Sequence, residues 1–140
     1  MTSAALATLD TNIAVYAMTE SAKKGVATQA LRRCSFLSVQ VLNEYANLSV
    51  RKYGRSWTRV ADELQSLSES VIAVPAIELV HHRHAIWIAE RYQLSFYDSL
   101  MLAVALANDA KVIFSEDMQH GMLIDGALTI INPFLNPDPL

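Results

Sequence analysis

The sequence predicts one α/β domain in which a parallel β-sheet carries helices on both faces. Short apolar segments alternate along the chain with longer segments of helical periodicity, and this alternation is typical of such a sheet. The chain has 140 residues, about the size of a single domain, and 52 % of them are hydrophobic. Only 18 % are charged, which argues against disorder. We therefore expect residues 1–140 to form a single domain with a large core.

Five short segments are predicted to be strands because they are apolar or β-branched and end at turn or helix signals. In chain order they cover residues 4–9, 35–39, 71–74, 111–115 and 128–131. Pro75 stops the third segment, since the residue before a proline disfavours the helical conformation. A proline-containing tail, residues 132–140, follows the last segment and is expected to be extended or loose.

Helical periodicity fills the intervals between these segments. Six helices are predicted, approximately over residues 12–18, 22–33, 40–51, 56–68, 76–92 and 97–108. Ser56 has the residue type that favours an N-cap. The last helix is apolar almost all round, so we expect it to be buried in the core or in an oligomer interface.

Charge and cysteine content limit the classes of function. The formal net charge is −3, so any contact with nucleic acid needs a local basic patch. Cys34 is the single cysteine, which excludes an internal disulfide and fits a reducing cytosol. The N-terminus lacks the pattern of a signal peptide, and the longest apolar run, residues 100–107, is too short to span a bilayer. We expect a cytoplasmic protein without a membrane segment.

Four acidic residues lie where a parallel sheet presents its binding site. Asp10 follows the first predicted strand and Asp117 follows the fourth, and ligands bind at the carboxyl ends of such strands. Glu44 lies one turn into the helix after the second strand, and Asp98 opens the last helix. Each acid alone has a simpler interpretation as a helix cap, a first-turn acid or a half-exposed helix acid. Four together are more than capping requires.

The chemistry of a carboxylate cluster points to a cation. Two carboxylates about 4 Å apart repel by roughly 4 kcal/mol at an effective dielectric near 20, so a cluster must hold a proton or a cation. Carboxylate oxygens and water suit Mg²⁺ or Mn²⁺. One or two such ions can activate a water and stabilise the leaving oxygen of a phosphodiester. The acids therefore predict a metal-dependent nuclease that hydrolyses its substrate by in-line attack.

Four motifs, in this order, resemble those of the PIN-domain family of metal-dependent ribonucleases. They are Leu9-Asp10-Thr11-Asn12-Ile13, Val41-Leu42-Asn43-Glu44, Tyr97-Asp98-Ser99-Leu100-Met101-Leu102-Ala103 and Ser115-Glu116-Asp117. The similarity extends from Leu9 to about Ile131. It implies a three-layer α/β/α domain with a five-stranded parallel sheet, and an endoribonuclease that depends on Mg²⁺ or Mn²⁺.

The resemblance also implies roles for single residues. The catalytic and metal-binding acids would be Asp10, Glu44, Asp98 and Asp117. Asn12 and Ser115 would support the site. Glu116 is a further acid beside Asp117, and the sequence leaves open whether it shares the site. After the last acid, many relatives have an aromatic or apolar residue three positions on, whereas this chain continues Met118-Gln119-His120-Gly121.

In its small size, the chain most resembles the VapC-type toxins of bacterial and archaeal toxin–antitoxin pairs. This similarity implies an RNA substrate, a homodimer, and a cognate antitoxin that docks along a groove and reaches the acidic site. The alternative is a PIN-like nucleic-acid-binding module without turnover. The sequence argues against a receiver domain, because Asp10 has no second acid beside it and no lysine follows the last strand, and against a dehalogenase-type phosphatase, which needs an Asp where Asn12 stands.

Two other clusters, one basic and one of histidines, each have more than one interpretation. The densest basic stretch contains Arg51, Lys52 and Arg55, which would contact RNA phosphates or would simply be solvated. Three histidines lie between residues 81 and 84, but no cysteine or second histidine pair completes a zinc site with them.

Overall fold

The computed structural model describes residues 6–135, which form six helices and four strands. The helices are α1 (Thr11–Ala17), α2 (Lys24–Arg33), α3 (Val39–Arg51), α4 (Trp57–Glu69), α5 (Leu79–Tyr92) and α6 (Phe96–Ala107). The strands are β1 (Ala7–Leu9), β2 (Val112–Phe114), β3 (Leu123–Ile124) and β4 (Leu128–Ile131). The first predicted strand begins at residue 4 and two tail prolines lie at 137 and 139, so these parts of the prediction fall outside the described residues.

The sheet has the strand order β1-β2-β4-β3. The strands β1, β2 and β4 are parallel, whereas β3 runs antiparallel to β4. Every residue of β1 and β2 is buried, so both faces of the sheet are covered, as in other parallel sheets. The predicted α/β class is confirmed. The predicted sheet of five parallel strands is wrong, because the described residues form a four-stranded mixed sheet.

Two of the predicted strands are reduced to isolated bridges. The segment that contains residues 35–39 lies beside β1, and residues 71–74 lie beside that segment in turn, both in parallel orientation but without forming ladders. The bridges join Ala7 to Cys34 and Phe36 to Ala73. Ser38 already caps α3, and Pro75 ends the other segment. Neither segment therefore has enough extended residues left to pair as a strand.

The antiparallel strand β3 is absent from the sequence-based prediction. It joins β4 through a tight turn in which Asp125 and Gly126 have φ values of 52° and 66°. The Ala127 N–H donates to the Ile124 carbonyl at 3.0 Å. Two consecutive residues with positive φ are typical of a hairpin turn, and Asp-Gly is a strong sequence signal for it.

The predicted helices all form, with ends that differ by a few residues. The Ser56 hydroxyl accepts the Arg59 N–H at 3.1 Å, which confirms the predicted N-cap. Helix α6 is buried from Ser99 to Ala105, and it lies in the core of the chain itself. Within the part of the chain that the structure describes, no helix has the length and apolar character needed to cross a membrane.

A buried ion pair connects the helices that surround the sheet. Arg55, between α3 and α4, lies 3.3 Å from Glu63, and their side chains are 4 % and 11 % exposed. The Tyr45 hydroxyl donates to the same carboxylate at 3.0 Å, and Arg55 donates to the Thr19 hydroxyl at 2.6 Å. Arg55 is thus a buried residue whose two terminal nitrogens both donate to protein groups, and its placement does not fit the expected RNA contact.

This network predicts a large effect of a single substitution. We expect Arg55→Ala to lower the free energy of unfolding by about 3–5 kcal/mol, because it removes the only buried cation paired with the Glu63 carboxylate among the described residues and leaves an exposed arginine as its ionic partner. The matched control is Arg59→Ala. Arg59 contacts the same Glu63 at 3.2 Å, but its side chain is 57 % exposed, so the loss should stay below about 1 kcal/mol. Urea unfolding measures both, and equal losses would contradict the assignment.

Candidate active site

A cleft of about 650 Å³ lies at the carboxyl ends of β1 and β2, and all four predicted acids line it. They are Asp10, Glu44, Asp98 and Asp117. The remaining lining residues within the described chain are Thr11, Asn12, Gln40, Asn43, Asn47, Leu48 and Tyr97. No lysine, arginine or histidine is among these lining residues, so no protein cation neutralises the acids inside the cleft.

Asp10 has two functions at the end of β1. Its Oδ1 accepts the Thr11 N–H at 2.7 Å and so caps α1, while Oδ2 accepts the Ser115 hydroxyl at 2.9 Å. The residue is 4 % exposed. Burial, helped by the charges of Asp98 and Glu44, outweighs these two hydrogen bonds and raises the pKa of Asp10 to about 6. The capping interpretation and the cleft position are therefore both correct for this residue.

Glu44 is held at both of its carboxylate oxygens. The Thr11 hydroxyl donates to Oε2 and the Gln40 carboxamide donates to Oε1, each at 2.9 Å. Both donors are buried. Neither residue is among the site residues predicted from the sequence. Gln40 lies one helical turn before Glu44, so its contact could have been predicted from spacing, whereas the Thr11 contact depends on the packing of α1 against α3.

Asp98 lies in the first turn of α6. The Ser95 hydroxyl caps this helix and accepts the Asp98 N–H at 3.2 Å. Asp98 is only partly buried. Burial raises its pKa and the charges of Glu44 and Asp117 raise it further, although the hydrogen bond with Ser95 opposes them. Burial is thus the main cause of the raised pKa, and the charges of Glu44 and Asp117 add to it.

The two adjacent acids after β2, Glu116 and Asp117, have different surroundings. Asp117 lines the cleft and accepts a hydrogen bond from the Asn12 carboxamide. Glu116 instead accepts the Tyr16 hydroxyl at 2.7 Å and pairs with Lys23. Burial works against its ionisation, but these two hydrogen bonds outweigh burial and lower the pKa of Glu116. Only Asp117 of this pair is therefore placed to act in the cleft.

The other sequence candidates are placed as follows. Ser115 is fully buried and, besides donating to Asp10, accepts the Met118 N–H at 3.2 Å. Arg51 and Lys52 are exposed at the end of α3 and do not line the cleft. They remain available for contact with phosphates.

The histidines do not form a metal site. His81 is buried, and its Nδ1 accepts the Glu78 N–H at 2.9 Å at the start of α5. His84 lies 3.0 Å from Asp125 in the β3–β4 turn. Their partners are thus helix and turn groups.

The donor set of the cleft fits a hard divalent ion. Between residues 6 and 135, no three His, Cys, Asp or Glu side chains form a ready-made ion-binding group. The four acids surround a cleft rather than enclosing a point. Mg²⁺ usually keeps several waters and is held by only one or two carboxylates. The separated carboxylates line a cleft that is large enough for water. They therefore suit an ion that keeps some of its waters better than an ion enclosed entirely by protein ligands.

The sequence matches the PIN domain family over residues 7–120. The chain belongs to the PIN-domain family. The matched range contains all four cleft acids. In the described part of this chain, the PIN fold consists of six helices and a four-stranded mixed sheet. Among curated proteins, no sequence matched the chain.

Three solved structures show the same PIN fold. The first is a toxin–antitoxin complex from Klebsiella pneumoniae, with a TM-score of 0.69 and 19 % identity over 91 % of this chain and 97 % of that chain. The second is VapC20 from Mycobacterium tuberculosis, a sarcin–ricin loop cleaving toxin, with a TM-score of 0.64 and 20 % identity over 79 % and 89 %. The third is VapBC2 from Rickettsia felis bound to a promoter DNA fragment, with a TM-score of 0.58 and 17 % identity over 80 % and 88 %.

The buried charge of Asp10 predicts a gain in stability on substitution. We expect Asp10→Asn to raise the free energy of unfolding by about 1–2 kcal/mol at about pH 8 in EDTA. It removes a buried charge that costs on the order of 3 kcal/mol, and it weakens a hydrogen bond that contributes about 1 kcal/mol. Urea unfolding of both proteins measures the difference.

The pH dependence of that difference is a control. The pKa of Asp10 is about 6 in the fold and 3.8 without it, so the folded state holds the proton more tightly. This contribution to stability is complete below about pH 4 and is lost as the pH rises through about 6. The advantage of Asp10→Asn should therefore disappear toward pH 4, and a constant difference would contradict this explanation.

Proposed function

We propose that this PIN domain is a Mg²⁺- or Mn²⁺-dependent endoribonuclease and the toxin of a type II toxin–antitoxin pair. The observation that carries the proposal is the cleft lined by four carboxylates, with no protein cation among its described lining residues. An uncompensated group of this kind favours a divalent ion. The RNA-cleaving description of VapC20 and the shared fold support the choice of RNA as the substrate.

One or two of the four acids would bind the ion directly, and the others would act on the waters that the ion keeps. Bound there, it would activate a water molecule and stabilise the leaving oxygen of the phosphodiester. The protein contributes fixed geometry, since hydrogen bonds orient Asp10, Glu44 and Asp117. Carboxylates that are oriented before the substrate arrives need little reorganisation during the reaction.

We propose a cognate antitoxin as the protein partner. Two of the structural neighbours are toxin–antitoxin assemblies by their descriptions. A partner segment that brings a cation into the cleft would meet four carboxylates and no competing lysine or arginine in its described lining. Such a segment would compete with the metal ion and thereby inhibit cleavage.

We also propose that the protein forms a homodimer through α5. Four large apolar side chains on one face of this helix are exposed: Leu79, Val80, Ile86 and Trp87. They recur at a spacing of seven residues, which keeps them on one stripe. An exposed apolar stripe of this kind marks an interaction surface, and a two-fold dimer would pair it with its own copy.

Cleavage assays test the nuclease directly. With Mg²⁺ or Mn²⁺, the protein should cleave single-stranded RNA and should lose the activity in EDTA. Asp117→Asn should lower cleavage by more than about a hundred-fold, since even indirect partners of metal ligands typically contribute about 10- to 100-fold. Glu116→Gln is the matched neighbour control and should retain most activity, because Glu116 lies outside the cleft. Full activity in EDTA would overturn the proposal.

Calorimetry separates the nuclease from a binding module without turnover. Wild-type protein should take up Mn²⁺, and Asp117→Asn should take up less. RNA binding with neither Mn²⁺ uptake nor cleavage would favour the binding module.

The dimer is tested by light scattering coupled to size exclusion. Wild-type protein should have twice the chain mass of 15.5 kDa, and Ile86→Glu should be a monomer because it places a charge in the apolar stripe. Ile72→Glu is the control, since Ile72 is 91 % exposed and lies outside α5. A dimer that survives Ile86→Glu, or dissociates equally with Ile72→Glu, would contradict the assignment.

A further inference from the structure

The cleft has an uncharged side as well as an acidic one. Asn43 and Asn47 of α3 and Tyr97 at the start of α6 line it together with the acids. The two asparagines are one turn apart on α3, so their carboxamides share a face of that helix, and both are exposed. Uncharged polar and aromatic groups thus lie directly beside the carboxylates.

Tyr97 differs from the other exposed aromatic residues. The large aromatic side chains exposed within residues 6–135 are Tyr53, Trp57, Trp87 and Tyr97. Of these four, only Tyr97 lines the cleft, and it is 58 % exposed. Phe96 packs edge-on against it, with ring centroids 5.4 Å apart and an interplanar angle of 75°. The Tyr97 ring is therefore supported from one side and open to a ligand.

These groups have the chemistry that recognises an unstacked nucleobase. Single-stranded RNA is bound by stacking bases on aromatic rings and by hydrogen bonds to the base edges. A carboxamide offers both a donor and an acceptor, and it can pair with a base edge through both. We propose that Tyr97, Asn43 and Asn47 form a subsite that binds one base of single-stranded RNA beside the scissile phosphate. The inference rests on the proposed ribonuclease function.

Helix α3 also indicates the direction in which a bound RNA strand would leave the subsite. Asn43, Asn47 and the exposed Arg51 follow one another at intervals of four residues, which corresponds to a rise of about 6 Å for each step. An RNA strand that leaves the subsite along α3 would meet the Arg51 guanidinium outside the cleft. Arg51 would then contact a phosphate, and that contact carries no base preference.

Binding experiments in the Asp10→Asn background test the subsite without cleavage of the probe. The probe is a fluorescein-labelled short single-stranded RNA of random sequence, with Mn²⁺ present. Tyr97→Ala and Tyr97→Leu should weaken binding by about ten-fold or more, because stacking on an aromatic ring is lost. Tyr97→Phe should bind like the parent, since it keeps the ring. Circular dichroism verifies that each variant is folded.

Sequencing of the bound RNA tests the asparagines. The parent should enrich a base at one position next to the cut site of wild-type protein. Asn43→Ala or Asn47→Ala should flatten that preference. Arg51→Ala should weaken binding to all sequences alike and reduce the salt dependence of binding.

Trp57→Ala is the control for the aromatic ring. Trp57 is 67 % exposed on α4 but lies outside the cleft, so its loss should leave binding unchanged. The subsite is overturned if Tyr97→Ala binds like the parent, if Tyr97→Phe is as weak as Tyr97→Ala, or if Trp57→Ala has an equal effect. It is also overturned if the parent binds no RNA or if both asparagine variants keep the base preference.

The two proposals can fail separately. If wild-type protein cleaves RNA but Tyr97→Ala binds and cleaves equally well, the nuclease stands and the subsite falls. If wild-type protein cleaves nothing but binding still requires the Tyr97 ring, the subsite stands and the nuclease falls.

Discussion

The parallel pairing of β1 with β2 is the constraint on which the candidate active site depends. Leu9 is aligned with Phe114, and the Asp10 N–H donates to the Phe114 carbonyl at 2.8 Å. This register places the next residues side by side, and the Ser115 hydroxyl lies 2.9 Å from the Asp10 carboxylate. Because Asp10 also caps α1 and Ser115 also accepts the Met118 N–H, one register sets the course of both segments that leave the strands.

The first turn of α1 then orients acids from two other parts of the chain. Thr11 holds Glu44, and Asn12 holds Asp117, so successive residues orient acids from α3 and from the segment after β2. Such an arrangement has a cost, since burial and mutual repulsion raise the pKa of Asp10. A fold selected for stability alone would have no reason to retain these charges. The unfavourable burial and mutual repulsion of these charges are thus consistent with a function that needs a cation.

The local parts of this design could be predicted from the sequence. The cleft acids were found because they follow strands or open helices, and the buried helix α6 because its periodicity is apolar. The hairpin also has a local signal, the Asp125-Gly126 turn, although β3 is not among the predicted strands. Other features depend on partners that are distant in the chain. Glu116 leaves the cleft because it pairs with Lys23, and Arg55 is buried because it pairs with Glu63.

The cleft separates chemistry from recognition. Its acidic side repels an RNA phosphate unless a divalent ion is present, because no cation is among its described lining residues. If RNA is the substrate, attraction to it would therefore come from a bound ion and from exposed groups such as Arg51 and Lys52. Stacking on Tyr97 involves no charge, so the bound base can be held next to the carboxylates without adding to the repulsion. Under the proposed function, the acidic side would accept a phosphate only with a divalent ion bound, so recognition of the base and chemistry at the phosphate would depend on each other.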